Sequence, residues 1–169
     1  MLTIHCKGAE IMDIKAPKLK CGKASPFKIK AKTAAEAIKA LDANGCWGQH
    51  DWDVKWDWSD ENNVVTEVVL KPTCSITMPE WPGAKDLDAD KKKEWDAAMK
   101  ALKKHEEEHH SKFAKWYDGL PKGLKKLGKV PGKKVDDFMK KALDEHDKLQ
   151  KKYDKDSKNG AKEGVNFSA

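Results

Sequence analysis

EWDAAMKALKKHEEEHHSKFAKW, residues 94–116, decides how the whole chain is read. Trp95, Ala98, Met99, Leu102, Phe113, Trp116 and then Leu120 recur at intervals of three and four, so they share one side of a helix. His105 and His109 fall on that apolar stripe, whereas Glu107, Glu108 and His110 fall off it. A polar ring on a buried stripe costs about 1–3 kcal/mol unless it finds a partner. Imidazoles at i and i+4 project from the same side of a helix, so one metal ion can take a nitrogen from each. Glu106 follows the first histidine, as the general base does in the His-Glu-x-x-His zinc pattern.

The same periodicity sets the boundaries around this segment. It predicts a helix from about Asp90 to Tyr117, ended by Gly119-Leu120-Pro121. A Lys/Gly-rich connector follows over 122–134, with a second helix from about Pro131 to Lys152. Val135, Phe138, Met139, Ala142, Leu143, His146 and Leu149 form that helix's inner face. Upstream of residue 82 the pattern changes to strands. FKIKAKT (27–33) alternates, TAAEAIKALDANG (33–45) reads as a capped helix, and HDWDVKWDW (50–58) puts Trp52, Val54, Trp56 and Trp58 on one face. SDENN (59–63) is a turn, and VVTEVVLKPTCSITMP (64–79) gives one long strand or two broken at Pro72. The expected fold class is α+β: a small antiparallel sheet packed with the two helices. One domain is expected over 1–169: an N-terminal extension (1–26), strands (27–81), helices (88–152) and a tail closing the site (153–169).

Composition narrows the class. A net charge of +6 arises from lysine without a single arginine, which argues against a nucleic-acid surface and for a solubilising one. Seven tryptophans among 169 residues need burial, so the chain is folded rather than disordered. No apolar run nears the ~18 residues of a membrane span. The first residues, MLTIHCKGAE, carry no readable export signal. Cys6, Cys21, Cys46 and Cys74 are even in number and contain no CxxC pair, a usage that suits disulfides in an exported protein.

A zinc site needs a third protein ligand beside His105 and His109. His146 on the second helix is one candidate, and Asp154, just past that helix, is the other. His50 follows Gly-Gln in an expected loop and has little reason to be a ligand.

Ordered motifs add a resemblance. The TAAEAIKALDANG helix, the Trp52-x-Val54-x-Trp56 strand, ITMPEW (76–81), the Trp95-led helix with its five-residue zinc motif, and YDKDSKNGAKEG (153–164) occur in sequence. Over about 27–164 the chain thereby resembles a bacterial domain family of unknown function whose members are described as predicted secreted Zn-dependent proteases. The resemblance implies a single-domain metalloprotease, export to the periplasm or medium with a cytoplasmic location as the alternative, and Asp154 as third ligand through the intact Tyr153-Asp154 pair. Tyr153 would then help hold an oxyanion or serve as a packed ring. Asn159 departs from the family pattern, which commonly has His before the glycine; were that His a ligand, the site here would be weakened or would recruit His146 instead.

The expectation is therefore a monomeric zinc-dependent peptidase acting on peptides or proteins, with Zn²⁺ on His105, His109 and Asp154 or His146. Glu106 would take a proton from the attacking water and pass it to the leaving amine. A non-catalytic binding or cargo protein that uses zinc for stability is the rival expectation.

Overall fold

In the computed structural model, residues 12–169 are described. Their order is β1 (Asp13–Lys15), β2 (Gly22–Lys23), β3 (Phe27–Lys28), α1 (Ala34–Ala43), β4 (Gln49–Glu61), β5 (Val64–Thr77), β6 (Pro79–Glu80), α2 (Ala89–Lys125) and α3 (Gly132–Ser157). The class is α+β. Its largest feature is the antiparallel hairpin of β4 and β5, in which Trp52 faces Cys74 and Trp58 faces Val68. Asn62 and Asn63, both at positive φ (51° and 65°), make the two-residue turn that suits strands of right-handed twist. The strands thus run closer to the tip than a five-residue turn would allow.

The sheet is mixed rather than purely antiparallel. β1 and β2 join the far edge of β5 in parallel, pairing with 67–69 and 75–76. Pro72, opposite Val54 of β4, falls between those two paired segments, where neither β1 nor β2 needs its missing N–H, and β5 passes through it unbroken. The alternating FKIKAKT segment contributes only Phe27 and Lys28 to a ladder, a short parallel pair with β6. α1 begins where expected, with Thr33 Oγ1 accepting from the Glu36 N–H.

α2 overruns its expected end and continues through Pro121 to Lys125. The proline removes one intrahelical donor. Leu120 and Leu124 on either side are 4% and 0% exposed, so burial of that last turn keeps it helical. α3 likewise overruns Lys152 to Ser157, which places Asp154 on the helix rather than after it. Leu149 departs from the expected inner face and is 56% exposed.

One core cluster joins Val54, Val68 and Leu70 of the hairpin to Phe113, Tyr117 and Leu124 of α2 and Val135 and Met139 of α3. A second cluster packs α1 and Trp81 against Trp95, and Phe167 of the tail closes it. The tryptophan face of β4 docks α3: the Trp56 and Trp58 indoles both donate to Asp136 Oδ1, at 2.8 and 3.1 Å. Gly132 lies so close under Trp58 that a Cβ there would meet the ring at 2.1 Å. No helix among the described residues is long and apolar enough to cross a membrane.

Phe113, fully buried between hairpin and helices, tests this core. Phe113→Ala lowers unfolding stability by about 3–5 kcal/mol in urea titrations, whereas Leu149→Ala shifts it by less than about 0.5 kcal/mol.

Candidate functional site

The buried stripe of α2 meets the inner face of α3 beside the start of β4, under a cleft of about 730 Å³. His105, Glu106 and His109 enter it from α2, and Gln150 and Asp154 from α3. Helical spacing accounts for the second group: 146, 150 and 154 are successive positions on one side of α3.

Three atoms converge. His109 Nε2 lies 2.8 Å from Asp154 Oδ1, His105 Nε2 lies 3.3 Å from the same oxygen, and the two Nε2 atoms are 3.2 Å apart. Ligands held about 2.0–2.1 Å from a tetrahedral zinc ion sit roughly 3.3 Å from one another, so this triangle fits a single ion. The donor set, two imidazoles and one carboxylate, is one that zinc takes.

The opposite ring nitrogens are held separately. Glu163, on a 3₁₀ turn over Ala161–Glu163, accepts from His105 Nδ1 at 2.7 Å, and its other oxygen accepts from the Tyr153 hydroxyl at 2.8 Å. Gln150 Oε1 accepts from His109 Nδ1, while Gln150 Nε2 donates to the His109 carbonyl (3.1 Å) and to His146 Nε2 (2.8 Å). Both histidines are thereby oriented with Nε2 toward the cleft, which is how outer partners fix the tautomer of a ligating imidazole.

His146 itself does not reach the triangle. It is 1% exposed, its ring stacks on Trp116 at 4.5 Å and meets Trp52 edge-on at 4.7 Å, and its Nε2 is occupied by Gln150. Burial depresses its pKa to about 4, so the ring is neutral, as an acceptor from Gln150 requires. Tyr153 stacks on His105 at 5.0 Å with its hydroxyl committed to Glu163, so it orients that carboxylate and His105 rather than offering a free donor to the cleft. Asn159 stands at the cleft's edge in a left-handed turn (φ 52°), outside the converging group.

Charge follows this geometry. Burial opposes ionisation of Asp154, but its bonds to His105 and His109 prevail and hold its carboxyl far below the usual range. Burial likewise opposes protonation of the two histidines. For His105, bonds to Asp154 and Glu163 outweigh it, and for His109, bonds to Asp154 and Gln150, so both pKa values are raised. Glu106, 4% exposed, has its pKa raised by burial. Its carboxylate lies against Gly48, where a Cβ would come within 2.7 Å of Oε1.

Gln150 and Glu163 escaped the motif-based reading. Gln150 was signalled only by its spacing of four from both His146 and Asp154, and Glu163 sits in the GAKEG segment that closes the family-like tail. His50, expected in a loop, is the second residue of β4 and lines the cleft. Both its ring nitrogens are buried without partners among the described residues, and burial with three neighbouring histidines lowers its pKa to about 4. Of the cysteines, Cys21 and Cys74 are disulfide-bonded, Cys46 is free among the described residues, and Cys6 lies outside them.

Residues 24–161 match the model of a family described as a bacterial protein of unknown function (DUF922). No curated protein and no solved structure matches the chain.

In metal-free protein, Asp154→Asn lowers the pKa of both His105 and His109, read by NMR titration of their ring protons. Glu163→Gln lowers that of His105 and leaves His109 unchanged.

Proposed function

The chain belongs to this bacterial family of unknown function, and we propose that it is a zinc-dependent peptidase. One observation carries the reading: two imidazole nitrogens and a carboxylate oxygen meet at mutual distances of 2.8–3.3 Å in a cleft that also holds Glu106. His105, His109 and Asp154 would hold the ion, with a place left facing the cleft. When bound, zinc acidifies a water molecule and polarises a scissile carbonyl.

The chain's own residues supply the rest. Glu106 takes the proton of the attacking water and delivers it to the departing amine, and its raised pKa suits a group that must both accept and release. Gly48 keeps the β4 side of the cleft open to that carboxylate. Gln150 and Glu163 hold the two imidazoles by their outer nitrogens, and Tyr153 steadies Glu163. The Cys21–Cys74 bond supports export to an oxidising compartment.

A second reading, a binding protein that keeps zinc for stability, draws on the engagement of the Tyr153 hydroxyl by Glu163, which leaves it no hydrogen for an oxyanion. Glu106→Gln separates the two. As a peptidase the protein binds one zinc at this centre and cleaves members of a broad quenched-fluorescence peptide library. Glu106→Gln then lowers kcat by at least about 10²-fold, with zinc content and melting temperature unchanged. Stoichiometric zinc with no cleavage of any library member would leave only the binding protein.

The ligand assignment has its own test by metal analysis and competition with a chelator. Asp154→Ala loses zinc, His146→Ala retains it, and Gln150→Ala weakens affinity by roughly 10–100-fold. Zinc retained in full by Asp154→Ala removes the carboxylate from the centre.

A further inference from the structure

Behind the cleft wall, a second set of ligand-bearing side chains meets with no part in the chemistry described above. Cys21 precedes β2 and Cys74 lies on β5, facing each other across the parallel pair with Cα atoms 4.7 Å apart. His110, the α2 residue after His109, places Nδ1 3.7 Å from Cys74 Sγ. His50, from the first turn-in of β4, lies with its ring 5.6 Å from that of His110. One ligand atom from each of these four residues falls within 4.8 Å of all the others. Among the described residues nothing satisfies His50, whose two ring nitrogens are both buried and unpartnered.

We propose that Cys21, Cys74, His50 and His110 form a second metal site, which takes one thiophilic divalent ion of the zinc class when the Cys21–Cys74 bond is open. Two thiolates and two imidazoles are a complete tetrahedral shell, in which ligand atoms stand roughly 3.3–3.8 Å apart. The Cys74–His110 separation already has that length, and the remaining atoms need only close inward. Disulfide and metal are mutually exclusive states of the same sulfurs. A dithiol supplies the two electrons and two protons that open the bond and itself becomes a disulfide. The incoming ion then displaces both thiol protons and binds two thiolates. With all four positions filled by protein, the site has no place for a substrate, so its role is structural and redox-dependent. Through His50, which lines the cleft and stacks 6.4 Å from His109, its state bears on the wall beside the first centre.

The donor atoms distinguish the two centres. Only the second contains sulfur, so only it gives an intense thiolate-to-metal charge-transfer band in the near ultraviolet when loaded with Co²⁺. Full-chain protein is reduced anaerobically with a phosphine and titrated with Co²⁺, beside untreated protein. The expected result is one equivalent carrying that band in reduced protein and none in oxidised protein. His110→Ala and His50→Ala each weaken that equivalent at least tenfold. Asp154→Ala leaves it in place, whatever becomes of the other centre. Absence of the band from reduced wild type would overturn the site without recourse to any variant. Its survival, undiminished, in both histidine variants would overturn the assignment of the imidazoles.

Discussion

Asp154 Oδ1, set between the Nε2 atoms of His105 and His109, is the contact on which the rest of the site depends. It unites two helices that the sequence connects only through a distant turn. Two raised histidines and a strongly acidic carboxylate describe a cluster short of positive charge at its centre. In the proposed metal-bound state a divalent ion would supply that charge. The geometry requires α3 to be set correctly along its length. Asp136, held by the Trp56 and Trp58 indoles, lies about five turns, roughly 27 Å, before Asp154. A shift of one residue would rotate the carboxylate by about 100° and remove it from the triangle. The tryptophans of β4 therefore act on the site at a distance, as anchors of a rigid helix.

Burial of His105, His109 and Gln150 is tolerated because their polar atoms partner one another and Asp154, Glu163 and His146. Gln150 is central, since a single amide accepts from His109 and donates both to its carbonyl and to His146. His146, wedged between Trp52 and Trp116, in turn fixes the amide's orientation. The two histidines of the triangle are not equivalent, however. A carboxylate backs His105 and makes its ring the stronger donor, whereas a neutral amide backs His109.

Legibility from the sequence follows the length over which each pattern acts. The stripe on α2 spans many turns, and its histidines betrayed themselves by interrupting an apolar run. β4 is equally plain, because Trp52, Val54, Trp56 and Trp58 alternate along it. β1 and β2, at three and two residues, are too short for any periodicity, and their parallel pairing is decided by what β5 leaves open. Pro121 misled for a physical reason. A proline's local cost is fixed, while the burial of Leu120 and Leu124 that offsets it is a tertiary fact. Asp154 was singled out through the Tyr-Asp pair in the tail, but its position on α3, and so its alignment with Gln150, required the helix to be seen continuing to Ser157.

His109 and His110 illustrate how one helix can serve two environments. Adjacent residues differ by about 100° around the axis, so one faces α3 and the cleft while the other faces the Cys74 sulfur of β5. His50 stands between them, against both rings. The two proposed ligand sets differ in kind: nitrogen and oxygen at the first, sulfur and nitrogen at the second. Softer sulfur donors favour thiophilic ions, and the carboxylate-bearing set admits harder ones, so donor type rather than position alone separates what each can hold. His105, His109 and Asp154 face the cleft, as a centre that acts on a substrate must, whereas four protein donors would close the proposed second site around its ion.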